Sequence, residues 1–190
     1  MFTDSEVTEI RTAFILNAMS LLQEDGHLYP TAFIFCSVDP KTGAPGKVVV
    51  PVVGSFTCQE AKEEFAAAIQ TVAIAGLATH AIMAMDAWFI RRDPRSDDGV
   101  RPSEAEDRRE CLHVVEERLE SYTLRSERVP YVRDQGEILF QEHEVDEDSL
   151  DAMTGLLKLL PRTRETGPLS EEIIQRARAA CRAKMTAGEV

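Results

Sequence analysis

Most of this chain carries apolar residues at the period of a helix or of a half-buried strand, and one stretch follows neither. From His80 to Arg92 it reads H-A-I-M-A-M-D-A-W-F-I-R-R. Successive side chains of a strand point to opposite faces, so Ile82, Ala84, Asp86, Trp88 and Ile90 share one side and Ala81, Met83, Met85, Ala87 and Phe89 the other. Both sides are apolar, which predicts an interior strand over His80–Ile90 covered on both faces. Asp86 is the only charge inside it.

The flanking pattern supplies elements to cover such a strand. Thr3 and Glu6 form a capping box, and Val7, Ile10, Phe14, Ala18 and Leu21 recur at helical spacing up to Gly26, predicting a helix over about residues 4–25. Thr31–Val38 and Gly46–Val53 are rich in β-branched and aromatic residues around the turn D-P-K-T-G, which predicts an antiparallel hairpin. Pro51 cannot donate to a ladder, so the second strand is expected at an edge or at a bulge. Thr57 and Glu60 repeat the capping-box spacing before a helix with Ala61, Phe65, Ala68, Ile69, Val72 and Ala75 on one face.

After the central strand, Arg92–Glu106 has the composition of a solvated loop. Glu110–Leu119 fits strand or helix, and its Val114-Val115 pair favours strand. Ser121–Val132 reads as a half-exposed strand, Asp134-Gln135-Gly136 as a turn, and Glu137–Val145 as the last strand of a meander. Asp148 is placed to cap a helix carrying Leu150, Met153, Leu157 and Leu160, ended by Pro161. Residues 162–168 form a polar linker. Leu169 and Ile174 then have the spacing of a hydrophobic staple on a last helix with Ile173, Ile174, Ala177, Ala180 and Cys181 on one side. The order α-β-β-α-β-β-β-β-α-α is that of an α+β fold, a mostly antiparallel sheet of about six strands (a ββ hairpin plus a meander) packed with helices. Residues 1–160 are expected to form a single domain, and 161–190 a linker and C-terminal helix appendage.

Charge narrows the function classes. The net charge is −12, and only residues 161–190, with 6 basic and 4 acidic side chains, are positive. Direct nucleic-acid binding, which rests on Lys and Arg neutralising phosphates, is not expected of such a chain. The acidic stretch Glu142–Asp151 (E-H-E-V-D-E-D-S-L-D) reads as a strand end followed by negative charge at a helix N-terminus, or as a mimic of a phosphate backbone offered to a DNA-binding protein. Four cysteines lie far apart without a C-x-x-C pair, so reduced thiols are expected. No apolar run approaches the roughly 20 residues of a membrane span, and M-F-T-D-S-E lacks the basic and apolar regions of a signal peptide. The expected location is cytoplasmic.

Asp86 is the first candidate for chemistry, because a carboxylate on an apolar strand must be paired, hydrogen-bonded or protonated. The bland reading is an ion pair with Arg91, Arg92, Arg108 or Arg118, or exposure at a sheet end; the sharper one is a catalytic acid. His113 and Glu116 are further catalytic candidates. Three apart, they share a face only in a helix, so a metal site would need that reading or partners from elsewhere. His143 and Asp146 have the same spacing. No metal and no cofactor is expected, since phosphate-binding, dinucleotide and nucleophile-elbow motifs are all missing.

Helix, hairpin, helix, meander resembles the roadblock and profilin-like group of folds in element order, which implies no function. Asp86-Ala87-Trp88, followed by Arg101-Pro102-Ser103 and Asp107-Arg108-Arg109-Glu110, resembles a set of small bacterial and phage-type proteins with an acid-Ala-Trp strand, R-P-S and D-R-x-E. That resemblance implies no activity. It directs attention to Trp88, Arg101, Asp107, Arg108 and Glu110 as interaction residues. The expected function is non-enzymatic: a protein–protein interaction or assembly subunit, a homo-oligomer or part of a larger assembly. The alternatives are a hydrolase or nucleotide-handling enzyme using Asp86 and the 101–110 loop, and an acidic nucleic-acid mimic.

Overall fold

The computed structural model describes residues 1–89, 106–119, 123–149, 159–161 and 167–186. Along them run α1 (Asp4–Asp25), β1 (Thr31–Val38), β2 (Pro45–Val53), α2 (Gln59–Ala75), β3 (Ala78–Phe89), β4 (Arg109–Arg118), β5 (Thr123–Asp134), β6 (Glu137–Phe140), β7 (Glu144–Ser149) and α3 (Glu171–Thr186). This is the α+β class with an open antiparallel sheet, in the element order read from the pattern. The sheet order is β2-β1-β3-β4-β5, with β6 and β7 both paired to the outer side of β5. Because β2 and β3 are each antiparallel to β1 and flank it, they run parallel to one another, and α2 makes the crossover between them.

β3 is the interior strand that its two apolar faces demand, between β1 and β4. On one face Ala81 and Met83 join Ile34, Phe65, Ile69 and Ala73 under α2; on the other Ile82 and Ala84 join Phe14, Ala18 and Leu22 under α1. α1 on one face and α2 on the other, with α3 packed on α2, sandwich the sheet. On the α1 side burial ends toward the C-terminal end of β3, where Trp88 is 48% exposed, while Phe89 on the other face stays buried.

α1 starts as the capping box requires, with the Thr3 hydroxyl accepting from Glu6 N and Glu6 Oε2 accepting from Thr3 N at 2.7 Å. It stops at Gly26, whose φ of 73° is the left-handed conformation that glycine adopts without strain. Its buried stripe runs through Val7, Phe14, Ile15, Ala18 and Leu22, so Leu22 rather than Leu21 faces the sheet. The N-cap of α2 is likewise one residue later than expected. The Cys58 thiol, not the Thr57 hydroxyl, accepts from Ala61 N, while Thr57 N donates to Ser55 Oγ. At the far end of α2, Gly76 lies against β1 so closely that a Cβ there would sit 2.2 Å from Cys36 Sγ. Its carbonyl accepts from Ser37 N and Val38 N, the residues where β1 bulges.

β2 is an edge strand, and parity explains why Pro51 is tolerated in it. Gly54 N donates to Pro30 O, and hydrogen-bonded pairs alternate along an antiparallel ladder. Pro51, opposite Phe33, therefore falls on a pair that turns its nitrogen to the free edge. A missing donor there discourages another chain from adding a strand.

Other expectations change. Ser121–Val132 was expected to be half exposed, yet Leu124 and Ser126 on one face and Glu127, Val129 and Tyr131 on the other are all buried. The strand expected at Glu137–Val145 is interrupted at 141–143, where three residues oppose Val129 and Pro130, and resumes as β7. The acidic stretch from Glu144 to Ser149 is thus a ladder strand, not a helix cap, and Asp148 belongs to it. The helix expected after Asp148 lies mostly outside the described residues, as does the Arg92–Glu106 loop apart from Glu106. α3 packs on α2 through Ile174 and Ala177, whereas Ile173 and Ala180 are exposed. Arg178 Nε donates to Ala75 O at 3.2 Å and Arg182 to Lys41 O at 2.8 Å, so cations of α3 meet the C-terminal carbonyls of α2 and the β1–β2 turn of the same chain.

The buried charges on the α1 side are organised around Arg11. Its Nε lies 3.4 Å from Glu116 on β4 and its Nη2 pairs with Glu127 on β5. Arg118 bonds Glu116 at 2.7 Å and Asp4 at 3.2 Å, and His143 at the β6–β7 break bonds Glu127 at 2.9 Å. Breaking a buried pair from one side typically costs about 3–5 kcal/mol. We expect Arg11→Met to lower the urea-unfolding free energy by about that amount. A loss below about 1 kcal/mol, the range of exposed pairs, would place the network in solvent instead.

Candidate functional site

A row of side chains crosses the sheet near the C-terminal end of α1, running from buried Tyr131 to half-exposed Trp88. The ladder register sets Trp88 of β3 opposite Glu110 of β4, Glu110 opposite Tyr131 of β5, and Tyr131 opposite Phe140 of β6. Cross-strand partners share a face, so all four lie on the α1 side. Asp86 and Arg133, each two residues along its own strand, join them there.

Tyr131 Oη donates to Asp86 Oδ1 at 2.5 Å, and Arg133 Nη2 donates to Tyr131 Oη at 3.2 Å. Arg133 Nε is shared between both oxygens of Glu110 at 3.1 Å, and Nη1 donates to Gly26 O at 2.8 Å. Arg133 Nη2 is 3.8 Å from Asp86 Oδ2, a looser contact than the one with Glu110. Burial pushes the Asp86 carboxyl above its ordinary value, with the Tyr131 hydrogen bond and Arg133 opposing it and Glu110 adding to it. Burial and the Asp86 hydrogen bond push the Tyr131 phenol up, so the shared proton stays on Tyr131.

Beside this cluster opens a cavity of about 450 Å³. It is lined by Arg108, Arg109, Glu110, Tyr131, Arg133 and Gln141, among others. Arg108 places its guanidinium 5.0 Å from the Trp88 ring centre, a cation–π contact at the surface. Three arginines are thus among its lining residues on a chain whose overall charge is strongly negative, although Arg109 and Arg133 lie on opposite faces of the sheet.

The partners of Asp86 differ from those expected. Arg118 is committed to Glu116 and Asp4, Arg108 lies over Trp88, and Arg91 and Arg92 fall outside the described residues. Tyr131 and Arg133 come instead from a strand two places away. His113 and Glu116 are on opposite faces of β4, as a strand requires. The His113 ring Nε2 meets Ser126 Oγ at 2.8 Å on the α2 side, and Glu116 belongs to the Arg11 network. Neither reaches the cavity. Among the described residues no group of three His, Cys, Asp or Glu side chains is placed to hold a metal. Of the interaction candidates, Trp88, Arg108 and Glu110 converge; Asp107 is exposed and off the cavity wall; Arg101 lies outside the described residues. Tyr131, Arg133, Arg109 and Gln141 were missed. Only the Tyr131/Arg133 alternation hinted at a shared face, and the register that sets it beside Glu110 is not written in the local pattern.

Comparison with family models, with curated proteins and with solved structures found no match to this chain. Among the described residues, no helix is long and apolar enough to cross a membrane.

Two outcomes follow from the ionisable groups. An acid whose folded pKa is raised contributes stability at low pH that is lost as pH rises through that pKa, so the ionised Asp86 is a cost at neutral pH. Asp86→Asn keeps an acceptor for Tyr131 and removes the charge. At pH 7 its unfolding free energy should stay within about 1 kcal/mol of the original or exceed it, whereas Tyr131→Phe should lose about 1–3 kcal/mol. A loss of about 3–5 kcal/mol in Asp86→Asn would restore the buried ion pair as the dominant partner.

His113 shows the opposite sign. Burial, then Arg128, pulls its pKa from 6.5 down to about 4. The unfolded chain takes up that proton first, so stability is full above about pH 6.5 and is lost as pH falls toward 4, by an amount of order 3 kcal/mol. His113→Gln should flatten that part of the pH–stability curve measured by urea unfolding. An unchanged curve would mean that another group titrates there.

Proposed function

We propose that this chain is a non-enzymatic assembly subunit that docks a second copy of itself through the open end of its sheet. The observation that carries the reading is Trp88. It is half exposed on an interior strand, with Arg108 stacked on it and a cavity alongside. Trp, Tyr and Arg are the residue types that dominate binding hot spots: the rings of Trp and Tyr bury large area at little entropic cost, and the planar guanidinium of Arg stacks on rings and donates several hydrogen bonds. Self-association is the simplest form of such docking, since one patch can serve both copies across a two-fold axis.

An enzymatic reading has one observation in its favour, the raised Asp86 carboxyl close to a cavity. Against it, the Asp86 oxygens are engaged by Tyr131 and Arg133, and Tyr131 is buried, so neither group is free to meet a substrate.

Trp88 is the only tryptophan, so its emission reports on this surface alone. Light scattering and fluorescence over a dilution series test the reading. The mass should rise above that of one chain as concentration rises, with Trp88 emission moving to shorter wavelength. Trp88→Ala should remain a monomer with its melting temperature within a few degrees of the original. A mass of one chain at every concentration, with unmoving emission, overturns self-docking.

A further inference from the structure

We propose that Cys36 and Cys181 are a redox-responsive pair, which a hydroperoxide closes into a disulfide that locks α3 onto the sheet. The inference is independent of the docking reading. It stands on which of the four cysteines the fold brings together. Cys36 of β1 pairs with Ala78 of β3, whereas Cys111 of β4 pairs with Ala87. Those partners are nine residues apart on one strand, about 30 Å at about 3.3 Å per residue. Cys58 caps the start of α2 and Cys36 lies at its far end, about 25 Å away at about 1.5 Å per residue. Cys181 is the one that the fold brings near. Cys36 Sγ packs on Gly76, the C-cap of α2, where a Cβ would sit 2.2 Å from the sulfur. Gly76 O accepts from Ser37 N and Val38 N, so the end of α2 is fastened to β1 beside Cys36. α3 is fastened to the same corner. Arg178 Nε donates to Ala75 O at 3.2 Å, its guanidinium lies beside Gly43, and Arg182 Nη1 donates to Lys41 O at 2.8 Å. Residues three and four apart share a helix face, so Ile174, Ala177, Arg178, Cys181 and Arg182 form one stripe. Ile174 and Ala177 are buried and Cys181 is partly so. The stripe sets Cys181 between the two arginine anchors, toward the Gly76–Cys36 junction.

Both residues are thiols in the structure. The Cys36 thiol donates to Ile34 O at 3.7 Å. Burial, then the charge of the neighbouring Cys181, pushes it up to about 12, so it stays protonated at neutral pH. Cys181, partly exposed, is therefore the thiol that reacts first. Its thiolate attacks one oxygen of the peroxide. The O–O bond breaks, hydroxide leaves and is protonated to water, and Cys181 becomes a sulfenic acid. The Cys36 sulfur then gives up its proton and attacks the Cys181 sulfur. An S–S bond forms as the S–O bond breaks and a second water leaves. Two thiols lose two electrons and two protons, and the peroxide is reduced to two waters. The disulfide adds a covalent tie to a helix that hydrogen bonds and apolar packing hold in the reduced chain.

The test uses the full chain carrying Cys58→Ser, which keeps a side-chain cap on α2 and removes the exposed thiol from links between copies. Hydrogen peroxide is the probe, and intact mass, a non-reducing peptide map and melting temperature are the readouts. We expect a loss of two hydrogens, a linked peptide pair holding Cys36 and Cys181, and an intact Cys111 thiol. The melting temperature should rise by several degrees and return when dithiothreitol reduces the bond. Cys181→Ser should show none of these changes, and Cys36→Ala should leave Cys181 as a sulfenic acid that dimedone traps. The peptide map reads the parent chain directly, so it decides the matter even where a variant of buried Cys36 fails to fold. Because a disulfide needs Cα atoms within about 7 Å, the link forms readily only with α3 seated over Gly76. Oxidation of Cys181 to a sulfinic acid with the Cys36 thiol intact overturns the pair, as does a link of either cysteine to Cys111. A Cys36–Cys181 link that leaves the melting temperature unchanged overturns the lock.

Discussion

Arg11 stands between two carboxylates that adjacent strands hold side by side in the interior. Glu116 and Glu127 belong to β4 and β5, both are almost fully buried, and both face α1. Without a cation between them their repulsion and desolvation would drive α1 off the sheet. With Arg11 in place, the first helix is tied to two strands of the meander, through Arg118 to its own N-terminus, and through His143 to the break between β6 and β7. Apolar packing alone would let the helix slide along the sheet; a charged network with specified partners fixes its position.

That position decides where the sheet lies open. α1 ends at Gly26, and the carbonyl there is taken by Arg133, which also holds Glu110 and Tyr131. A cation at the C-terminal carbonyls of a helix is favoured by the helix dipole, so the same arginine that shapes the cavity also secures the end of α1. Beyond that point Arg133 lies over Tyr131, Phe140 packs on the edge of the α1-side core, and Trp88 at the end of the row is half exposed. Exposure of a tryptophan on the strand that is otherwise the most deeply covered is a direct consequence of helix length and placement.

The two edges of the sheet are treated differently. At β2 a proline turns its nitrogen outward and removes a donor. At the other edge β6 and β7 meet at the 141–143 break, where Gln141 N still donates to Pro130 O and the chain bends toward the cavity.

How much was legible in the sequence follows from the range of the forces involved. The two apolar faces of His80–Phe89, the Thr3–Glu6 box, the Gly26 stop, the hairpin around D-P-K-T-G and the edge placement of Pro51 are written in neighbouring residues, because strand alternation, capping and turn conformations are local. Even there a single residue could deceive. Thr57 looked like a cap and Cys58 was one, and Leu21 looked buried where Leu22 is, since a one-residue rotation of a helix leaves its period unchanged. The candidate site was legible only in part. Trp88, Arg108 and Glu110 lie near one another in the chain and could be singled out together. Asp86 could be recognised as a carboxylate in need of a partner, but Tyr131 and Arg133 could not be named as that partner. They sit more than forty residues away on a strand separated from it by another, and only the pairing register of β3, β4 and β5 brings them to Asp86. For the same reason Glu116 was a catalytic candidate in the sequence, and only the folded chain set Arg11 beside it. Side-chain period is a property of the sequence, whereas which strand lies next to which, and in what register, is settled by the packing of the whole core.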